Sequence, residues 1–171
     1  MKLNVSSELK QPGKVSEREL SERLPAMEYL GRTIEFAAPV ILKFACSFDG
    51  KGIGLKGVLT TAVLTECARC TKLMTEPIEV DFEERFVKEK TDEESEDYLF
   101  SGETLDLDDM VQTNIFLNLP LSSVCSADCR GLCGVCGCDL NIAQCSCVKE
   151  AEPRKGALSE LEQLLSENKE V

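Results

Sequence analysis

The stretch VILKFACSFDGKGIGLKGVLTTAVLTE, residues 40–66, carries the clearest structural pattern in the chain. From Val40 to Phe48, apolar side chains alternate with their neighbours at the period of a strand that buries one face. DGKG, residues 49–52, is typical of a tight turn, and a second strand is predicted from Ile53 to Glu66. The stretch therefore predicts a β-hairpin, and we expect the other elements to pack on it.

A third strand is predicted further along the chain, where apolar residues are interleaved with acids. These apolar positions are Ile78, Val80, Phe82 and Phe86. Within the second strand, Gly54 and Gly57 are expected to mark β-bulges, because glycine in a strand often lies where the pairing is interrupted. Together the three strands predict an antiparallel meander.

Helical patterns occur in three segments. DLDDMVQTNIFLNLP, residues 106–120, predicts a helix that Asp106 caps and that ends before Pro120. Residues 157–167 place leucines on one stripe, and SERELSERL, residues 16–24, predicts a further short helix more weakly. The predicted fold class is α+β: an antiparallel β meander packed with two or three helices, with a C-terminal Cys-rich zinc-binding segment.

The length of 171 residues makes one integrated domain the default. Within it we distinguish a core at residues 1–120, with a CxxC knuckle and an acidic loop, from residues 121–171, with the Cys-rich segment and the last helix. The net charge of −12 arises in residues 76–109, which hold 15 acids and 3 bases. Residues 88–97 contain no apolar side chain and are expected to form a solvated, mobile loop.

The expected compartment decides how the ten cysteines are interpreted. The N-terminus lacks the pattern of a secretory signal, and no run of about 18 apolar residues occurs, so we expect a soluble, cytoplasmic protein. In a reducing cytosol, clustered cysteines are more often metal ligands or redox groups than disulfides. Because the chain has no histidine, a metal site must be built from thiolates or completed by a carboxylate.

Eight of the cysteines form four short knuckles, which is enough for two zinc ions with four sulfur ligands each. The local pairing joins Cys133 and Cys136 to Cys145 and Cys147. The other pairing joins two distant segments and would close a loop of 54 residues, 71–124. Its four ligands are Cys67, Cys70, Cys125 and Cys129.

Two cysteines remain outside these knuckles. Cys46 falls on the apolar face of the first strand and is interpreted as a small core residue. Cys138 lies inside the cysteine-rich segment and could replace a neighbouring cysteine as a ligand. An iron–sulfur cluster and a thioredoxin-like dithiol stay open as alternatives to zinc, although neither the cysteine spacing nor the surrounding pattern favours them.

LPLSSVCSADCRGLCGVCGCDLN at residues 119–141, the following CSC and EPRKGALSEL, and CARC at residues 67–70 resemble the motifs of the large ribosomal RNA subunit accumulation proteins, the YceD-like family. The chain departs from the family pattern at Gly134, where proline is usual, and at Cys138, where the family has another residue. The resemblance implies a non-enzymatic role in large-subunit rRNA accumulation and ribosome biogenesis.

Such a role implies that the protein binds a large-subunit rRNA precursor or a basic large-subunit ribosomal protein. The acidic segment 76–109 suits a basic protein, whereas RNA would need a local basic surface. The basic residues expected to form that surface are Arg130, Lys149, Arg154 and Lys155. The alternative functions are a zinc-stapled protein-interaction module unrelated to ribosomes and a dithiol oxidoreductase.

Overall fold

A computed structural model of the chain describes residues 1–89 and 95–147. The strands are β1 Lys2–Asn4, β2 Val15–Glu22, β3 Met27–Tyr29, β4 Arg32–Phe36, β5 Val40–Phe48, β6 Gly52–Glu66, β7 Leu73–Val87, β8 Tyr98–Leu99 and β9 Thr104–Asp106. The helices in these ranges are α1 Ser6–Leu9 and α2 Asp108–Leu117. Residues 1–129 form one compact unit, and a second unit begins at Arg130.

The central hairpin predicted from residues 40–66 is confirmed. β5 pairs antiparallel with β6, and β6 pairs antiparallel with β7 over its whole length. In the turn, Asp49 Oδ1 accepts hydrogen bonds from the N–H groups of Lys51 and Gly52 at 2.8 and 2.7 Å. This side-chain bridge closes the turn and fixes the register of the two strands.

The predicted bulges at Gly54 and Gly57 were wrong. β6 keeps an unbroken register with both neighbours through these two glycines. A Cβ on Gly57 would overlap the carbonyl oxygen of Lys43 and the backbone of Phe44. Glycine at position 57 therefore permits a close approach of β5, which is the other common reason for a glycine inside a strand.

The helix predicted weakly at residues 16–24 was also wrong, because this segment contains β2. β2 pairs antiparallel with β5 from Val15 opposite Ser47 to Glu22 opposite Val40. Leu20 lies opposite Leu42 and packs against the core. The backbone hydrogen bonds to an otherwise open edge of the sheet outweigh the weak helical spacing of the leucines.

Both helices lie on the face of the sheet that carries the core, here called the inner face. In α2, Met110, Val111 and Ile115 are buried, and Asn114 donates to Glu84 of β7 at 2.9 Å. The predicted cap by Asp106 was wrong, because the N-cap residue is Leu107, which forms no side-chain cap; Asp106 precedes it and accepts a hydrogen bond from the N–H of Asp108. Glu8 of α1 is buried and forms an ion pair with Arg18 of β2 at 2.6 Å.

These elements confirm the predicted fold class, since the protein is mostly antiparallel sheet with few helices and has cysteine clusters towards its C-terminus. The predicted helix at residues 157–167 and the middle of the predicted acidic loop, residues 90–94, lie outside the described residues. No helix in the described ranges is long and apolar enough to cross a membrane.

Candidate metal centre

The first CxxC loop, residues 67–72, connects β6 to β7. The N–H of Cys67 donates to the carbonyl of Lys72, and the N–H of Thr71 donates to the carbonyl of Cys67, both at 2.9 Å. The N–H of Arg69 points to the Cys67 sulfur at 3.4 Å. β6 and β7 are thus connected by a tight turn that directs both cysteine side chains to the same side.

A second segment, residues 123–129, lies against this first loop. The N–H of Ala68 donates to the carbonyl of Ser123 at 2.8 Å, and the N–H of Cys125 donates to the Cys67 sulfur at 3.3 Å. The Arg69 guanidinium donates to the carbonyls of Ala127 and Cys129 at 3.1 and 2.9 Å. These bonds join distant parts of the chain around the four sulfurs.

The four sulfur atoms of the first cluster, Cys67, Cys70, Cys125 and Cys129, lie within 4.8 Å of one another. The sulfurs of Cys67 and Cys129 are 3.9 Å apart, and those of Cys70 and Cys125 are 3.6 Å apart. A tetrahedral zinc ion with Zn–S bonds of ~2.3 Å places its sulfurs about 3.8 Å apart. The observed separations therefore fit a zinc ion bound by four thiolates.

The second CxxC loop, residues 133–138, repeats the backbone geometry of the first. The N–H of Cys133 donates to the carbonyl of Cys138 at 2.8 Å, and that of Gly137 donates to the carbonyl of Cys133 at 2.9 Å. The N–H of Val135 points to the Cys133 sulfur at 3.4 Å. Each bond has its counterpart, position for position, in the first loop.

The two loops also share a left-handed residue after their second cysteine. Thr71 has a φ of 56° and Gly137 a φ of 71°. Glycine adopts this conformation without a steric cost, whereas a β-branched threonine does so with strain. The geometry of the turn therefore dictates this conformation in both loops, whatever the side chain.

The second cluster, Cys133, Cys136, Cys145 and Cys147, also has its four sulfurs within 4.8 Å of one another. Its surroundings are more open, since Cys133 is buried, Cys136 is exposed, and Cys145 and Cys147 are half-buried. The segment around the cluster is connected by Asn141, whose side chain accepts a hydrogen bond from the N–H of Arg130 and donates one to Asp139. All of these contacts lie within residues 130–147.

In each cluster, backbone N–H groups lower the pKa of the first cysteine. The N–H of Cys125, with help from that of Arg69, lowers the pKa of Cys67 to about 6 against the opposing effect of burial. In the second cluster, the N–H groups of Cys136 and Val135 lower the pKa of Cys133 to about 6. Because the thiolate is the form that binds metal, the backbone prepares one ligand in each cluster.

The structure brings together the eight cysteines that the sequence analysis proposed as ligands, in the two expected groups. Cys46 is fully buried in the core, and burial raises the pKa of its thiol to about 11. Cys138 is half-buried and is not among the four sulfurs of the second cluster. Arg130 is exposed, whereas Lys149, Arg154 and Lys155 lie outside the described residues.

Sequence reasoning missed the role of Arg69. Its position between Cys67 and Cys70 marks it as part of the first loop, but no local pattern indicates which carbonyl groups it contacts. Those carbonyls lie almost 60 residues away in sequence, and only the tertiary structure brings them within reach.

The fold and the sulfur clusters define a class: an antiparallel-sheet protein with two four-cysteine clusters that could each hold a metal ion. The profile of the family described as "Large ribosomal RNA subunit accumulation protein YceD" matches residues 55–165. Since this match covers more than half of the chain, the protein belongs to that family, as the resemblance in the motifs indicated.

Relatives occur in mycobacteria. An uncharacterised protein of Mycobacterium leprae is 26% identical over 130 residues, which cover 71% of this chain and 59% of the relative. An uncharacterised protein of Mycobacterium bovis is 31% identical over 116 residues, covering 65% of this chain and 56% of the relative. The chain thus spans less than two thirds of the length of these relatives. Among solved structures, none matches the chain at a significant level.

Proposed function

We propose that this protein is a non-enzymatic factor for large-subunit rRNA accumulation, which acts in the cytoplasm by holding a basic ribosomal protein of the large subunit. The description of its family supports the role in rRNA accumulation. The open acidic face of its sheet supports a basic protein as the direct partner. This face is the observation that carries the proposal.

The outer face of the sheet, opposite the helices, is exposed along β2, β5, β6 and β7. In its centre, the half-buried Ile41, Ala45 and Val58 alternate with the exposed lysines Lys43 and Lys56. Its exposed acids are Glu17, Glu19, Glu79, Asp81 and Glu83, and its exposed bases are Lys43, Lys56 and Arg85. The acids on β2 and β7 lie on both sides of this centre and outnumber the bases, which suits a basic partner.

The acids of β7 differ in how far neighbouring bases neutralise them. Glu83 lies opposite Lys56 and pairs with it at 2.6 Å. Glu79 and Asp81 lie opposite Thr60 and Val58, so β6 presents no base across from them. These two carboxylates are therefore placed to pair with lysine or arginine side chains of a partner.

Direct binding of RNA is less favoured than binding of a basic protein. A chain with a net charge of −12 repels the phosphate backbone unless a local basic surface compensates. Of the four residues expected to form that surface, Arg130 is the one within the described ranges, and it is exposed. A basic protein needs no such compensation.

Zinc supplies the structural part of the proposal. We infer one zinc ion in each cluster, held by four thiolates whose separations suit a tetrahedron. Four protein ligands leave no coordination position for a catalytic water, which supports a structural role for both ions and a function other than catalysis.

A pull-down with the tagged chain tests the proposed partner. We expect it to capture basic large-subunit ribosomal proteins from a lysate, and we expect the capture to survive RNase. Glu79→Gln combined with Asp81→Asn should weaken capture about tenfold, if each lost surface charge contact contributes ~0.7 kcal/mol. Glu103→Gln combined with Asp109→Asn removes the same charge from exposed positions away from the outer face, in the turn before β9 and in α2, and should leave capture unchanged.

Other outcomes would replace parts of the proposal. If RNase abolishes capture and Arg130→Gln weakens it, while the β7 variant behaves normally, RNA is the direct contact. If depletion of the protein leaves mature large-subunit rRNA unchanged and no ribosomal component is captured, the ribosomal role is wrong. The protein would then be a zinc-stapled interaction module of another pathway.

A further inference from the structure

Strand β7 forms an edge of the sheet over most of its length. It pairs with β6 throughout, whereas on its other side β8 pairs with it at Phe86 and Val87. Within residues 1–89 and 95–147, no other backbone hydrogen bond reaches that side between Leu73 and Arg85. We call this side of the strand, from Leu73 to Arg85, the β7 edge. Its outward N–H and C=O groups are available to a further strand.

Two hydrogen bonds show which residues of β7 direct their backbone groups outward. The N–H of Phe100 donates to the carbonyl of Val87 at 3.0 Å, on the β8 side. At the other end, the N–H of Cys67 donates to the carbonyl of Lys72 at 2.9 Å, on the β6 side. Because the backbone groups alternate in direction and the register is unbroken, the odd-numbered residues of β7 point outward. Pro77, which has no N–H, is one of them and therefore removes no bond from the sheet.

The side chains of the same odd-numbered residues make the β7 edge acidic. Glu79, Asp81 and Glu83 are exposed on the outer face, and β7 as a whole holds five acids and one base. β2, at the opposite edge of the sheet, is shorter and holds three acids and one base. A second copy of this chain would bring like charges together at the β7 edge, whereas a strand with lysine or arginine would supply opposite charges.

We propose that the β7 edge binds an extended basic segment of the partner as an additional strand of the sheet. This inference rests on the proposed function, because it specifies how the basic protein is held. The outward backbone groups of Glu79, Asp81 and Glu83 pair with the backbone of the segment. The carboxylates of Glu79 and Asp81, which face no base on β6, pair with its basic side chains. The backbone contacts supply affinity, and the acids select the charge of the segment.

A proline substitution separates the backbone contact from the charge contact. Asp81→Pro and Asp81→Asn both remove the carboxylate, but Asp81→Pro also removes an outward N–H and leaves the bonds to β6 in place. In the pull-down of basic large-subunit ribosomal proteins, Asp81→Pro should weaken capture about tenfold more than Asp81→Asn does. Circular dichroism and zinc content verify that both variants are folded. Equal capture by the two folded variants would overturn the added strand and leave the charge contact of the proposed function intact.

Hydrogen exchange of the wild-type chain gives a second measurement that needs no substitution. The probe is the peptide KVKVKVKV, which as a strand places its lysines on one side. In excess, it should slow the exchange of the outward amides of Glu79, Asp81 and Glu83 at least about tenfold. The amides of Val80 and Phe82, which point towards β6, should be protected with and without the peptide. The same peptide with every backbone nitrogen methylated keeps its charge but cannot donate, and it should give no protection.

The outcomes separate this inference from the proposed function. Unchanged exchange of the three outward amides with KVKVKVKV in excess would overturn the added strand, and so would equal protection by the methylated peptide. Protection by KVKVKVKV alone, in a chain that captures no ribosomal protein, would support the β7 edge as a binding site for basic strands and refute the ribosomal partner.

Discussion

The first cluster takes its sulfurs from two segments separated by 54 residues, whereas the second takes all of its sulfurs from 15 consecutive residues, 133–147. Both contain the same hydrogen-bonded CxxC loop. In the first, three of four cysteines are buried, and the loop is continuous with β6 and β7. In the second, one cysteine is buried, and the contacts stay within a short segment.

The same local chemistry is expected to have different energetic consequences in the two clusters. A metal ion that closes a long loop restricts the unfolded chain more than one that closes a short loop. The first cluster is therefore expected to contribute to the stability of the whole β-sheet unit, and the second to order only its own segment. Four predictions test this difference.

The largest expected effect is on global stability when a ligand of the first cluster is removed. Cys129→Ser should lower the free energy of unfolding of the β-sheet unit by more than ~3 kcal/mol, because it opens a buried metal site between distant segments. Cys145→Ser, the counterpart in the second cluster, should leave the main unfolding transition within ~0.5 kcal/mol of wild type.

Urea unfolding followed by circular dichroism measures both values, and zinc analysis confirms which site was lost. Cys46→Ala serves as a control for a change of a small core residue that binds no metal. Equal free energies of unfolding for Cys129→Ser and Cys145→Ser would show that the two clusters do not differ in their structural role.

The next effect concerns the order of metal loss. Limited chelator should remove zinc from the second cluster first, because its cysteines are more exposed and all of them come from one short segment. Amide signals of residues 130–147 should then change in NMR spectra while those of β5 and β6 do not. Simultaneous loss of both ions, or early changes in the sheet, would contradict this order.

Arg69 and Val135 occupy the same position in the two loops and provide a matched pair of substitutions. Arg69→Ala should lower the free energy of unfolding by about 1.5 to 3 kcal/mol, because it removes charge-assisted hydrogen bonds to the carbonyls of Ala127 and Cys129. Val135 is 67% exposed, so Val135→Ala should lower the free energy of unfolding by less than ~0.5 kcal/mol. Thermal unfolding of the zinc-loaded variants measures both changes. Similar losses of stability would show that the Arg69 hydrogen bonds do not stabilise the first cluster.

The smallest effect concerns the left-handed residue of each loop. Thr71→Gly should stabilise the zinc-loaded protein by up to ~1 kcal/mol, because glycine adopts a positive φ without strain. Gly137→Thr should weaken zinc binding in the second cluster by about 1 to 2 kcal/mol for the converse reason. Urea midpoints and zinc titration measure these changes, and a destabilising Thr71→Gly would show that its threonine hydroxyl outweighs the strain.

The sequence predicted most features whose signal is local. The alternation from Val40 to Phe48 matches β5 residue for residue, and the predicted second strand differs from β6 by one residue. The spacing of the cysteines indicated both clusters, since two knuckles of two sulfurs are what a tetrahedral ion requires. The motifs also identified the family correctly.

Features that depend on a distant partner could not be predicted in this way. Leu20 and Leu24 have helical spacing, yet β2 is a strand because the edge of β5 supplies hydrogen-bond partners that the local pattern does not contain. From the sequence, Gly57 suggests a β-bulge. Only the structure shows that glycine is needed there because the backbone of Lys43 and Phe44 lies too close for a side chain.

By itself, then, the sequence determined the strand periodicity, the grouping of the cysteines and the family, because these depend on residue types and spacings along the chain. Tertiary structure alone decided that Arg69 reaches the carbonyls of Ala127 and Cys129. It also placed Glu79 and Asp81 on an outer face with no base opposite them. The physical reason is that these contacts depend on distances through space, which are set only when the strands pair and the cysteine loops close.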